Sequence, residues 1–166
     1  FGWPPAYQSL HTAPDAPPDT ALWFVYRAGQ LLVARGGAGQ AELIPFPHPS
    51  TLGLVSVCEH YLGLLGDLHC YAAEVDAGGS EAPPGWGWQP LRRLHGALDE
   101  DRYALAGRAL QLLGWERTHR FCGTCGTEML RKPNERAREC PGCGAVSYPR
   151  VTPVVMALVR RGEQIL

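Results

Sequence analysis

The chain has 166 residues, 45% of them hydrophobic and 19% charged, which is enough for one ordinary domain, or for one moderate domain plus a small metal-stapled one. A net charge of −1 gives no global pull toward nucleic acid or an anionic membrane. No apolar run approaches the length of a transmembrane helix, and no basic, apolar, small-residue signal opens the chain, so a reducing cytosol is the expected compartment.

Residues 1–20 are proline-rich and polar, and read as an irregular arm that Phe1, Trp3 and Tyr7 could pin to the body. Leu22–Arg27 is a β-rich run, Ala28-Gly29 a turn, and Gln30–Ala34 a second strand. The Gly-rich stretch Arg35–Gly39 lacks the lysine of a phosphate-binding loop and the spacing of a dinucleotide fingerprint, so it reads as a plain loop. Glu42–Phe46 is a short extended piece kept at an edge by its prolines. Leu52–Cys58 reads as a strand or a short buried segment, and Tyr61–Leu65 and Leu68–Val75 as two strands joined at Gly66-Asp67. Ala77–Pro90 reads as a connection carrying Trp86 and Trp88.

Asp99 fits an N-cap for a helix through about Leu113, with Gly114 as its stop. Tyr103, Ala106, Leu110 and Leu113 make its expected apolar face.

Two knuckles follow, Cys122-Gly-Thr-Cys125-Gly126 and Cys140-Pro-Gly-Cys143-Gly144. Each pair can aim both sulfurs at one point, and glycine at 126 and 144 can take positive φ without a Cβ penalty. Four thiolates suit a closed tetrahedral Zn²⁺ site, which is structural rather than catalytic. Two disulfides or four free thiols are the alternatives. Cys58, His60, His69 and Cys70 read as buried or hydrogen-bonded side chains rather than a second metal site, because His69 and Cys70 point to opposite strand faces. Glu135 and Glu139 read as solvated charges. Arg131, Lys132, Arg136 and Arg138 make the hairpin between the knuckles locally basic, but interleaved acids and the lack of an aromatic there argue against nucleic-acid binding.

The stretch Leu110–Gly126, with Trp115, His119 and Phe121 ahead of the first knuckle, resembles the junction in NADH pyrophosphatases of the Nudix superfamily, the NudC type. Cys140–Pro153 is similar to that family's exit from the ribbon into its catalytic domain. Tyr61-Leu-Gly63 with Tyr71–Glu74 resembles, more loosely, its degenerate N-terminal domain.

The resemblance implies an α+β chain: an irregular arm over 1–20, a mixed or antiparallel Nudix-like domain over 21–117, a small β zinc ribbon over 118–148, and the first strands of a catalytic domain over 149–166. It implies Cys122, Cys125, Cys140 and Cys143 as zinc ligands. It implies Tyr148 as a substrate-binding residue of a nicotinamide-side pocket formed across a homodimer. The implied activity is hydrolysis of NADH or NAD⁺ to nicotinamide mononucleotide and AMP, and removal of NAD caps from RNA. That chemistry uses Mg²⁺ or Mn²⁺ held by a glutamate-rich Nudix helix. The pattern is absent here, since Arg138-Glu139 runs straight into Cys140, so no catalytic residue is carried over. The expectation is therefore a scaffold and dimer-supporting portion of a longer enzyme, inactive alone. A free-standing zinc-ribbon adaptor for RNA or protein is the alternative. The two cores are expected to be separate.

Overall fold

The structure is a computed structural model that describes residues 4–37, 40–76, 78, 81–150 and 157–165. Phe1, Trp3, Gly39 and the Val151–Met156 segment, on which some of the expectations fall, lie outside the described residues.

The fold is α+β, as expected. Seven strands form one mixed sheet: β1 (Tyr7–Ser9), β2 (Leu22–Arg27), β3 (Gln30–Arg35), β4 (Ala41–Glu42), β5 (Ser56–Leu65), β6 (Leu68–Val75) and β7 (Trp86–Pro90). Their order is β1-β5-β6-β2-β3-β4, with β7 also on β3. Only β2 and β6 run parallel; the other pairs in this sheet are antiparallel.

Alternation along the strands fills two apolar layers, because successive side chains point to opposite faces. Leu22, Phe24 and Tyr26 of β2 join Leu31, Val33 and Leu62 under helix α1 (Glu100–Thr118). Trp23, Val25 and Leu32 face the other way, toward Phe46, Trp86 and Trp88. The Tyr26 hydroxyl crosses the first layer and donates to the carbonyl of Ala106 at 2.8 Å, which satisfies its one buried polar atom.

Three local expectations are corrected. The arm is not wholly irregular: β1 pairs with β5, and Tyr7 Oη donates to Leu62 O at 2.6 Å. Gly63 makes that pairing possible. Its φ is +126°, and a Cβ there would lie 2.0 Å from Gln8 O. The piece at 42–46 forms only the two residues of β4 and a bridge from Phe46 to Ala21, while 49–52 is a 3-10 turn. Trp86–Pro90 is a strand rather than part of a connection, because both tryptophans cover the second apolar layer.

Helix α1 begins as expected, with Asp99 Oδ1 accepting from Arg102 N at 2.9 Å, but it runs through Gly114 to Thr118. Its buried side is Leu105, Ala106, Ala109, Leu112, Leu113, Trp115 and Glu116, with Tyr103 and Leu110 only flanking. Burial of Trp115 and Glu116 outweighs the cost of a glycine inside a helix, about 1 kcal/mol.

After the helix, β8 (Leu130–Arg131), β9 (Arg138–Glu139) and β10 (Val146–Ser147) form a small antiparallel sheet in the order β10-β9-β8. Residues 157–165 hold a two-stranded hairpin of β11 (Arg160–Arg161) and β12 (Gln164–Ile165). Among the described residues, no helix is long and apolar enough to cross a membrane.

Candidate metal centre and its buried joint

The two knuckles fold alike. Gly126 N–H donates to Cys122 O and Gly144 N–H to Cys140 O, both at 2.9 Å. Cys122 N–H donates to Thr127 O and Cys140 N–H to Ala145 O, both at 2.8 Å. Gly126 and Gly144 have φ of +75° and +72°, the left-handed conformation that a CxxCG turn requires.

The four sulfurs all lie within 4.8 Å of one another. Cys122 Sγ is 3.6 Å from Cys143 Sγ, and Cys125 Sγ is 3.4 Å from Cys140 Sγ. A disulfide needs about 2.05 Å. A tetrahedron with metal–sulfur bonds of about 2.3 Å has edges near 3.8 Å. The spacing is thus that of a metal tetrahedron. All six cysteines are free thiols.

The electrostatics also fit a cation. Backbone N–H groups of Cys125 and Thr124 pull the Cys122 thiol down to about 6. The Ala145 N–H favours the thiolate at Cys143 too, but the three neighbouring sulfurs push it up to about 12. Four thiolates cannot all ionise at one point without a positive charge between them. Zn²⁺ bound there would supply that charge and complete the ribbon, leaving no open position for chemistry.

The cysteines reach the sheet through a second cluster. Glu116, on the last turn of α1, is 6% exposed. Its Oε1 accepts from Arg131 Nε at 2.7 Å and from Arg138 Nη2, and its Oε2 lies 3.2 Å from His60 Nε2 on β5. Arg131 Nη2 is also 3.2 Å from Cys58 Sγ. Burial works against ionisation of Glu116, but His60 and the two guanidinium groups more than offset it and hold its carboxyl well below the usual carboxylate range. Burial pushes the Cys58 thiol up to about 11, against the pull of Arg131.

Cys58, His60 and Glu116 lie close enough to one another to serve as metal ligands. Two guanidinium groups already neutralise the carboxylate, so the cluster works as an ion-paired joint. Further contacts cross the same boundary. Arg136 Nη2 donates to Leu10 O and Tyr61 O, both at 2.7 Å, and Trp115 Nε1 donates to Ser147 Oγ at 3.4 Å. The expected separation of the two cores is therefore incomplete: their apolar centres are distinct, but buried polar groups tie them together.

Sequence reasoning missed Glu116 because it ended the helix at Leu113. The available signal was Leu105, Leu112 and Glu116 at i, i+7 and i+11, which puts an acid on the buried stripe. Nor are Glu135 and Glu139 merely solvated: Lys132 Nζ is 2.7 Å from Glu135 and 3.7 Å from Glu139. Tyr148 stands just past β10, half exposed, with its hydroxyl donating to Glu135 Oε2 at 2.9 Å. His69 and Cys70 part as expected: His69 Nδ1 meets Tyr61 Oη at 2.8 Å, and Cys70 is buried under the helix.

A mixed sheet capped by one helix and followed by a four-cysteine ribbon defines an α+β protein with a structural metal module. Comparison with known proteins narrows this. Residues 20–115 match the family model for the NADH pyrophosphatase-like rudimentary NUDIX domain, and residues 117–148 match that for the NADH pyrophosphatase zinc ribbon domain. The chain belongs to this NADH pyrophosphatase-like NUDIX family. It is 40% identical over 147 residues to a protein of Deinococcus radiodurans named NAD-capped RNA hydrolase NudC, an alignment covering 89% of this chain and 48% of that protein. It is 36% identical over 143 residues to the protein of that name from Pseudomonas fluorescens, covering 83% and 51%, and 46% identical over 112 residues to that from Pseudomonas aeruginosa, covering 66% and 39%. The chain spans about half the length of these curated relatives.

Proposed function

We propose that these residues are the N-terminal and zinc-ribbon portion of an NAD(H) pyrophosphatase. Its reaction splits NADH or NAD⁺ into the nicotinamide mononucleotide and AMP, and takes the NAD cap from RNA. The observation that carries this reading is the tandem match of two NADH pyrophosphatase modules, supported by relatives named for hydrolysis of NAD-capped RNA.

In this reading Cys122, Cys125, Cys140 and Cys143 hold a structural Zn²⁺. The arm, the Nudix-like domain and the ribbon, in the boundaries given above, position a catalytic domain whose glutamates bind Mg²⁺ or Mn²⁺. That metal supplies charge neutralisation at the pyrophosphate and activation of water. Residues 149–166 lead into that domain. The protein works as a homodimer in the cytoplasm, and Tyr148 lines the substrate pocket. The pinned phenol supports that role: its hydroxyl is fixed by Glu135 while half of its surface stays open to a ligand. The Glu116 joint fixes the angle at which the ribbon leaves the sheet.

The test is a pyrophosphatase assay with NADH and Mg²⁺ on the 166-residue chain and on the product of its complete open reading frame. Turnover is expected only from the latter. Mg²⁺-dependent turnover by residues 1–166 alone would overturn the division of labour. Absence of turnover from a product that carries a Nudix helix would overturn the activity.

A further inference from the structure

Cys58 and His60 stand two residues apart on β5, so the strand turns both to one side of the sheet. That side meets the last turn of α1, which carries Glu116. One ligand atom from each of Cys58, His60 and Glu116 lies within 4.8 Å of the other two. A thiol, an imidazole and a carboxylate thus converge from two separate elements.

The ion pairs of the joint use only half of the carboxylate. Arg131 Nε and Arg138 Nη2 both donate to Glu116 Oε1. Among the described residues, Glu116 Oε2 and His60 Nε2 are buried and make no hydrogen bond, although they stand 3.2 Å apart. Glu116 is 6% exposed, and a charged oxygen is costly to bury without a partner. Two ligands bound to one tetrahedral ion at about 2.05 Å lie about 3.3 Å apart. Their lone pairs then point at the ion rather than at each other, which gives contact distance without hydrogen-bond alignment. Arg131 Nη2 lies 3.2 Å from Cys58 Sγ. A neutral thiol accepts such a donor weakly, whereas a metal-bound thiolate is steadied by it.

We infer that Cys58, His60 and Glu116 bind a Zn²⁺ of their own, at the joint between sheet, helix and ribbon. One sulfur, one nitrogen and one oxygen suit Zn²⁺ and not the all-oxygen shells of Mg²⁺ or Ca²⁺. Binding releases the Cys58 thiol proton to solvent. Thiolate and carboxylate together then match the two guanidinium groups in charge. The charge of the ion falls on its fourth ligand, a water that it acidifies. His60 and Glu116 line a cavity of about 210 Å³, through which water reaches that position. The four thiolates of the ribbon close off their ion, while three protein ligands leave one position open. The site does not depend on the pyrophosphatase reading.

The experiment is a titration of the 166-residue chain, its ribbon already loaded with one equivalent of Zn²⁺, with Co²⁺ and in parallel with more Zn²⁺. The native chain is expected to retain one further ion after desalting, giving two metals per chain by elemental analysis. The added Co²⁺ should show the charge-transfer band of a single thiolate. Cys58→Ser and His60→Ala should each weaken the added ion by more than the about 10- to 100-fold that loss of an outer-shell partner costs. Both should keep the ion of the ribbon. His69→Ala is the control, since His69 pairs with Tyr61 instead, and should leave the count at two. The inference is overturned if the native chain retains only one ion, if the added Co²⁺ shows no thiolate band, or if neither ligand variant weakens it. Equal weakening by His69→Ala would overturn it too. Should a ligand variant fail to fold, alkylation of the native chain decides. The second equivalent of metal should protect Cys58 from iodoacetamide and leave Cys70 unchanged, and an unprotected Cys58 refutes the site.

Discussion

The N-terminal sheet buries apolar side chains on both faces, from Leu22 and Phe24 on one side to Trp23 and Val25 on the other. The ribbon buries only Cys122, Met129, Ala137 and Cys140, and leaves Leu130, Val146 and Tyr148 exposed. The first region can hold its shape by removing hydrocarbon from water. The second has too little hydrocarbon to do so and depends on metal ligation and on buried ion pairs with its neighbour. A small module can thus keep a fixed orientation without a core of its own, provided its charged groups find partners on a larger body. The cost is that the joint is only as strong as Glu116, the carboxylate shared by Arg131 and Arg138.

The largest expected effect breaks the ribbon and spares the sheet. Zinc sites of this kind bind with apparent free energies of about 10–16 kcal/mol, which become folding free energy. Chelation, or Cys140→Ser, should abolish amide protection over 122–147 in hydrogen exchange, while β2, β3 and β6 keep theirs. Loss of protection in both regions together would show one cooperative unit.

Next in size is Glu116→Ala, which strands Arg138, only 11% exposed, without its partner. A broken buried pair costs about 3–5 kcal/mol, read as a lower chemical-denaturation midpoint. Glu116→Gln should cost less. The same residue fixes a pH dependence. Its folded carboxyl titrates below the unfolded one, so its stabilisation is complete above the ordinary glutamate range and is lost as pH falls below it. Denaturation midpoints of the native chain should therefore decline on acidification below about pH 4.3, and Glu116→Gln should flatten that decline.

Gly63→Ala tests the sheet edge instead. A side chain at φ +126° and against Gln8 O forces the arm off β5. Strain of this kind costs about 1–3 kcal/mol, and limited proteolysis should then cut within residues 4–20 while leaving the ribbon whole. The smallest effect is a gain. Gly114 sits inside α1 with nothing within 4 Å of a built Cβ. Gly114→Ala should raise the thermal midpoint by the equivalent of about 0.5–1 kcal/mol, stiffening the segment that carries both Trp115 and Glu116.

Much of this protein is written in local sequence. Leu22–Arg27 and Leu68–Val75 declare themselves as strands by composition and bounding turns, and both stand as read. Asp99 marks the helix start through the one hydrogen bond an N-cap makes. The paired CxxCG knuckles specify four converging sulfurs, because two tight turns with glycine at the left-handed position leave the thiols few other directions. These features depend on neighbours a few residues away, so the sequence alone suffices.

Tertiary structure decided the rest. Helix α1 passes Gly114 because the sheet and ribbon bury Trp115 and Glu116, and burial outweighs propensity. Within the proline-rich arm, Tyr7–Ser9 becomes a strand because β5 offers it an open edge. His60, Glu116, Arg131 and Arg138 become a joint, and Cys58, His60 and Glu116 a ligand set, only when residues scores of positions apart are brought together. A charge in a linear sequence reads as solvated until packing removes the water around it, and its role is set by whichever groups then face it.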